Sequence, residues 1–285
     1  MITKAGIVIT TRNREQDLER LFALLQAHLK WAKYPLWVHD DASDQVSENY
    51  RKMISQAATF HQNQQRQGYI INRNWSNTSA PFELIFSLDD DSCFVDSEGP
   101  DLAIAYLEAN PHVAALSFPL VDSLNPRPVT STQPYPCFSY VGCAHLIRQD
   151  VFINLGGYRS DFVHQGEESE LCARIWAAGY EVHAFPACRV HHWVSLESRN
   201  YQRMGFYGPQ NRVWNHLLHT PLPLLPLEVM RAFGSYTKLS WKTQMPIVHL
   251  RGLLSGLRQG IATWQERQAL PLSLYLMLSK LPISA

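Results

Sequence analysis

Three consecutive carboxylates, Asp89-Asp90-Asp91, close an apolar run at residues 82–88. Adjacent like charges repel, so a chain that keeps them at a strand end needs a cation or a cluster of donors to neutralise them. Carboxylate oxygens suit Mg²⁺ or Mn²⁺, which bind through one or two carboxylates and substrate phosphates. A solvated acidic turn is the plainer alternative, and the second pair Asp40-Asp41, ending another apolar run at 36–39, weighs against it. The chemistry indicated is that of a metal-bound nucleoside diphosphate. Glu167-Glu168-Ser169-Glu170 surrounds a predicted helix start, where the macrodipole favours acids. The catalytic alternative is that Glu167 or Glu168 is a general base and the other sets its proton affinity. In His191-His192, neighbouring strand residues face opposite ways, so at most one reaches a given site. Thr11-Arg12-Asn13-Arg14 is either a polar helix start or a turn that holds a nucleotide. No GxGxxG or GxxxxGK[ST] occurs, which argues against a standard dinucleotide site or P-loop.

These residues need strand ends to carry them. Residues 7–10 form a β-branched run, and 15–30 repeats apolar residues at Leu18, Leu21, Phe22, Leu25 and Leu29, a strand followed by an amphipathic helix. Strands at 36–39, 82–88 and 113–118 alternate with helices near 48–58 and 101–109, so the sequence predicts an α/β fold with a mostly parallel sheet and helices on both faces. Ligands of such sheets bind beyond the carboxyl ends of the strands, where both aspartate clusters lie. Prolines interrupt residues 120–137, separating a first half of about 1–119 from a second of about 138–198. The second half opens with residues 140–147, followed by a turn at Gly156-Gly157, a helix over 169–178 stopped by Gly179, and a strand over 180–185. Residues 199–285 read as proline-punctuated helices, a helical C-terminal extension.

Composition sets outer limits. Across 285 residues, 46% hydrophobic and 18% charged residues describe a globular chain rather than a disordered one. Lys+Arg and Asp+Glu number 25 each, so nucleic acid is not the expected partner. The balance is uneven along the chain: residues 1–198 carry 15 basic and 23 acidic side chains, and 199–285 carry 10 basic and 2 acidic. The basic extension is expected either to pack on the body or a second subunit, or to lie on the anionic inner face of a cytoplasmic membrane. Five cysteines without CxxC spacing point to a reducing, cytoplasmic setting. Neither a signal peptide nor a spanning helix of about 20 apolar residues is read from the sequence.

Taken in order, the motifs resemble family 2 glycosyltransferases of the GT-A fold, bacterial polysaccharide and rhamnosyl transferases in particular. Residues 7–14, Ile-Val-Ile-Thr-Thr-Arg-Asn-Arg, look like the family's opening strand and "IPTYNR" turn, and Val38-His39-Asp40-Asp41-Ala42-Ser43-Asp44 is similar to "VDDGSTD". Gly68 with Arg73-Asn74 resembles "G…ARN", and Leu88-Asp89-Asp90-Asp91 resembles the "LDxD" metal motif. Gly142 through Gly157-Tyr158 is similar to "G…LIRR…VGGF", residues 166–174 to "GEEVDLCLR", and Pro186 with His192 to "P…H". The likeness covers about residues 5–215. It implies a GT-A domain over 1–198 and an inverting, metal-dependent transfer from a nucleoside-diphosphate sugar to a saccharide or lipid-linked acceptor. Thr10, Thr11, Asn13, Arg14, Asp40, Arg73 and Asn74 would hold the nucleotide sugar, Thr11 and Asp40 at the base, with Asp89 or Asp90 at the ribose. Asp91, with His192 as a further ligand, would hold Mg²⁺ or Mn²⁺, and Glu168 would be the base, Glu167 the alternative. Thr10 and Arg12 stand where the family has proline and tyrosine. A sugar-phosphate nucleotidyltransferase is the competing enzyme reading, but its glycine-rich loop is missing from 10–14. An inactive nucleotide-sugar-binding subunit would be favoured by loss of the carboxylate at 91 or 168, and both are present.

Overall fold

The computed structural model describes residues 3–29, 33–121, 131–193 and 200–285. The middle of the proline-rich loop and the expected domain boundary at 198/199 lie outside the described residues. The first apolar run becomes β1 (Thr3–Thr11), buried on both faces over 5–9 as a central strand must be. Helix α1 (Glu15–Leu29) buries Leu18, Leu21, Phe22 and Leu25, the face its periodicity predicts. Next come β2 (Leu36–Asp40), α2 (Glu48–Ala57), β3 (Ala58–Gln62), α3 (Tyr69–Ser79), β4 (Phe82–Asp89), β5 (Ser92–Phe94), α4 (Gly99–Ala109) and β6 (Val113–Ser117). Neither β3 nor α3 is predicted by apolar periodicity. The reason in α3 is that its buried face is largely polar: Asn72, Arg73, Ser76 and Asn77 are inside with Ile70.

The second half supplies β7 (Tyr135–Pro136), β8 (Ala144–Arg148), α5 (Gln149–Asn154), α6 (Glu167–Ala177), β9 (Glu181–Ala184) and β10 (Val190–His192). One eight-stranded sheet has the order β3-β2-β1-β4-β8-β6-β9-β7. Neighbours β3, β2, β1 and β4 run parallel, whereas β8 is antiparallel to both β4 and β6. The sheet is therefore mixed at its centre. A short ribbon of β5 and β10 stands apart from it, pairing His192 with Ser92. All five cysteines are free and buried.

Residues beyond 200 form α7 (Tyr201–His219), α8 (Leu225–Thr243), α9 (Pro246–Ala262) and α10 (Leu272–Leu278). Among the described residues, no helix is long and apolar enough to cross a membrane. Two of the devices that attach this part to the body are hydrogen-bonded. Buried Glu170 of α6 accepts hydrogen bonds from Arg174 and from His219 Nε2 of α7, the latter at 3.0 Å. The chain end returns to the sheet, where Phe138 and Ser139 N–H donate to the carbonyls of Pro282 and Ile283 at 2.9 and 2.7 Å. Leu270 and Leu278 join the core that holds Phe152 and Trp176.

Helices α7 and α9 approach closely because α9 presents Gly252, Gly256 and Gly260 at four-residue spacing, one above another on a single face. A β-carbon at these positions would overlap the Phe206 carbonyl oxygen, the Gln210 carbonyl oxygen and the Leu217 side chain, respectively. Gly256→Val is expected to cost about 1–3 kcal/mol by overpacking, seen as a lowered thermal midpoint. Gly234→Ala in α8, where an added β-carbon meets nothing within 4 Å, is expected to be neutral or to stabilise by up to about 1 kcal/mol. Equal midpoints for the two variants would contradict this packing.

Candidate active site

The loops after β1, β2 and β4 surround a cavity of about 780 Å³ at the carboxyl ends of those strands. After β1, Asn13 takes a positive φ of 56°, which asparagine tolerates better than most residues. Its side chain latches the next loop: Nδ2 donates to Asp44 Oδ2 at 2.7 Å, and its Oδ1 accepts from Asp44 N–H at 2.8 Å. Arg12 donates to the same carboxylate at 3.0 Å. This clasp presents Thr10, Thr11 and Arg14 to the cavity.

The three aspartates each receive different partners. Asp89 pairs with Arg73, which projects from the buried face of α3. Asp90 accepts from Thr11 Oγ1 at 2.8 Å and from Arg14 Nη1 at 3.1 Å. Burial still dominates there, with the charges of Asp91 and Asp89 adding to it, and pushes the Asp90 carboxyl up to about 7 despite Arg14. Asp91 accepts from Arg14 at 2.8 Å and has His192 Nε2 at 3.2 Å from its Oδ1. Burial works to raise Asp91, but hydrogen bonds and charge from His192 and Arg14 outweigh it and hold the group below its ordinary value. The β5–β10 ribbon brings His192 to this place, reinforced by Trp193 N–H donating to the Asp91 carbonyl at 2.9 Å.

Opposite stands the glutamate pair at the start of α6. The loop before it holds Val163 and Gln165 at positive φ, 61° and 68°, and Gly166 at 89°. Asn211 of α7 secures that loop by donating to the carbonyls of Phe162, His164 and Gln165 at 2.7–2.9 Å. Arg73 Nη1 lies 3.7 Å from Glu167 and 3.8 Å from Glu168, so one guanidinium connects the glutamates to Asp89. The two carboxyls differ in access: the Glu167 side chain is 1% exposed and that of Glu168 is 20%. Among the described residues, neither oxygen of Glu167 has a hydrogen-bond partner at bonding distance. Its burial, then the adjacent Glu168 charge, raise it above the ordinary glutamate value. Burial also raises Glu168, opposed by Arg73.

Of the residues singled out in the sequence, Thr10, Thr11, Asn13, Arg14, Arg73, Asp89, Asp90, Asp91, Glu167, Glu168 and His192 all line the cavity. Asp40 and Asn74 do not line it. Asp40 is fully buried, its carboxylate accepting from Ser43 N–H and Oγ at 2.7 and 2.6 Å, while Asp41 is the one on the wall. Asn74 spends its amide on the Tyr158 backbone, donating to the carbonyl and accepting from the N–H, both at 2.8 Å. Sequence reasoning missed Arg66, His164 and the α7 residues Arg203 and Met204, which complete the wall. Nothing in local spacing marks them, because they arrive from distant segments.

Asp89, Cys143 and His192 offer ligand atoms within 4.8 Å of one another. Burial, with the charge of Asp89 next, pushes the Cys143 thiol well up, so it remains protonated and is a poor partner for a hard cation. Asp89 and His192 of that group, with Asp91 3.2 Å from His192, offer oxygen and nitrogen donors of the kind that suit a divalent ion such as Mn²⁺.

The family model described as glycosyl transferase family 2 matches residues 6–160, and one described as the N-terminal domain of galactosyltransferase matches 130–199. No curated protein matches the chain. Among solved structures, the chain is similar to GalNAc-T7 with UDP, GalNAc and Mn²⁺, at 17% identity and a TM-score of 0.61, over 76% of this chain and 51% of that one. It is similar to the mannosyltransferase PcManGT of Pyrobaculum calidifontis in complex with GDP-Man and Mn²⁺, at 17% identity and 0.59, over 97% and 78%. It also resembles S. aureus TarS 1–349, at 13% identity and 0.57, over 80% and 66%. The chain thus spans about half the length of the first of these, and at such identities the likeness is one of fold.

Two substitutions separate structural from site roles. Asn74→Ala is expected to lose about 1–3 kcal/mol by leaving buried backbone groups unpaired, measured by denaturant unfolding, with nucleotide affinity unchanged. At Gly142 an added β-carbon would overlap Glu168 Oε1. Gly142→Ala is expected to fold yet displace that carboxylate, and a crystal structure with Glu168 unmoved would refute the point.

Proposed function

The chain belongs to glycosyl transferase family 2, and from that membership we propose that it transfers a sugar, with inversion, from a nucleoside-diphosphate sugar to an acceptor hydroxyl of a saccharide or lipid-linked glycan. The observation that carries the reading is the facing of two charge systems across one cavity: the Asp89–Asp91 cluster with Arg14 and His192 on one side, and Glu168 on the other. That separation suits a reaction in which negative charge develops on a departing diphosphate while a proton leaves an attacking hydroxyl.

Thr10, Thr11 and Asn13, with Asp41 in place of Asp40, are assigned to the nucleoside, and Asp89, steadied by Arg73, to the ribose. Asp91 and His192, with Asp89 in reach, would hold Mg²⁺ or Mn²⁺, which when bound neutralises charge on the leaving diphosphate. Arg14 already supplies positive charge to Asp90 and Asp91 and keeps both carboxylates pointed at this end of the cavity. Glu168, the more accessible member of the pair, accepts the proton of the acceptor hydroxyl as its oxygen attacks the anomeric carbon. The bond to the diphosphate breaks on the opposite face, hence inversion. Burial and the neighbouring charge raise Glu167, which works against two adjacent charges in the pair.

The test is transfer from a panel of nucleotide sugars, scored for product anomer and for dependence on Mn²⁺ or Mg²⁺. Asp91→Ala is expected to abolish metal-stimulated turnover with the fold intact. Glu168→Gln is expected to retain donor binding, seen as thermal stabilisation, and to lower kcat by about 10²–10⁴-fold, with Glu167→Gln milder. The opposite ranking would transfer the role of base to Glu167.

The pH profile offers an independent check. A base must be deprotonated to act, and burial raises Glu168. Activity is therefore expected to fall as pH drops through that raised value, on an acid limb above the ordinary glutamate value of about 4.3. The limb should vanish in Glu168→Gln.

A further inference from the structure

Exposed large apolar side chains are not evenly spread. Of twenty among the described residues, fifteen fall within residues 200–285. Their order on α8 and α9 follows one pattern. In α8, Leu227, Met230 and Trp241 stand at i, i+3 and i+14, with Arg231 and Lys238 at i+4 and i+11. In α9, Ile247, Leu250 and Ile261 repeat i, i+3 and i+14, with Arg251 and Arg258 at i+4 and i+11. At 3.6 residues per turn, each set places an apolar stripe on one exposed face with a basic edge beside it.

The two stripes meet at one groove. Trp241 and Leu250 together line a groove of about 560 Å³ between α8 and α9, whose floor includes Phe233, His249 and Leu253. Trp241 is 84% exposed and Ile247 is 71%, values out of keeping with a packed face. No acidic side chain in residues 200–285 is left to balance the cations: Glu228 pairs with Arg231 at 2.7 Å, and Glu266 pairs with Arg159 at 2.8 Å. Lys238, Lys242, Arg251 and Arg258 are exposed, and no carboxylate pairs with them among the described residues.

We infer that the α8–α9 face docks in the interface of an anionic lipid bilayer, its apolar stripes entering the headgroup boundary and its basic edges meeting lipid phosphates. Charge complementarity selects this occupant. A second copy laid face to face would oppose two sets of unpaired cations, whereas an anionic bilayer satisfies stripe and edge together. Helix α7 packs on α9 through the glycine face and also carries Arg203 and Met204 to the cavity wall. Docking would therefore hold the wall of the transfer site at the lipid surface. The inference stands on the surface alone and does not require the glycosyl-transfer reading.

The experiment is co-sedimentation of the full chain with vesicles of phosphatidylcholine alone and of equimolar phosphatidylcholine and phosphatidylglycerol, at low and high salt. Binding is expected to the anionic vesicles only and to weaken with salt. Lys238→Glu combined with Arg251→Glu is expected to reduce it by about tenfold or more. Trp241→Ser with Leu250→Ser is expected to reduce it similarly while leaving donor-induced thermal stabilisation unchanged. Absence of binding to anionic vesicles, equal binding to both kinds, or insensitivity to both double variants would overturn the proposal. So would a concentration-dependent dimer abolished by Trp241→Ser in a protein that ignores vesicles, which would identify the face as a protein interface. Failure of donor stabilisation with vesicle binding intact would count against the transfer reading instead.

Discussion

Three carboxylates in succession at the end of β4 can face one cleft only if positive charge is brought to them, and much of the local architecture does that. Two unit charges about 4 Å apart interact by about 4 kcal/mol at an effective dielectric of 20, enough to splay such a strand end open. Arg14 comes from the turn before α1 and Arg73 from the buried face of α3, and between them they contact all three aspartates. The clasp of Asn13 on Asp44 and the polar interior of α3 follow from the need to deliver these guanidinium groups at fixed positions.

Arg73 also carries that constraint across the cavity. One buried cation faces Asp89 on one side and two glutamates on the other, so the carboxylate proposed as base and the carboxylate proposed for the ribose share a counter-charge. Two adjacent carboxylates beside one cation raise the cost of ionising both, and burial raises each of them. Gly142 leaves the space that lets the Glu168 carboxylate lie where it does, and Asn211 of α7 fixes the left-handed loop that precedes the pair. The helices after residue 200 are thus part of the site's support.

Elements with an apolar face were legible. Leu18, Leu21, Phe22 and Leu25 predict α1, and β4 follows from its apolar run, because burial of hydrocarbon imposes the period of the element on the sequence. Helix α3 escaped because its inward face is asparagine, serine and arginine, for which no period of apolarity exists. The reversal of β8 within an otherwise parallel expectation escaped as well. Strand direction depends on how the connection from β6 returns, and a proline-rich sequence does not state that.

The sequence by itself determined the alternation of strands and helices, the strand-end location of Asp89, Asp90 and Asp91, and the presence of an adjacent glutamate pair at a helix start. Those are properties of residue type and spacing along one segment. Only the tertiary structure decided between neighbours: Asp41 over Asp40 on the wall, Glu168 over Glu167 in the open, and Asn74 turned to the Tyr158 backbone. Past the end of a strand the alternation of side chains lapses, and the direction of each depends on local φ and on partners far away in the chain. The same holds for His192, Arg203 and Met204, which reach the cavity through a ribbon and a helix. Their positions are set by contacts between segments, and one-dimensional spacing carries no record of these.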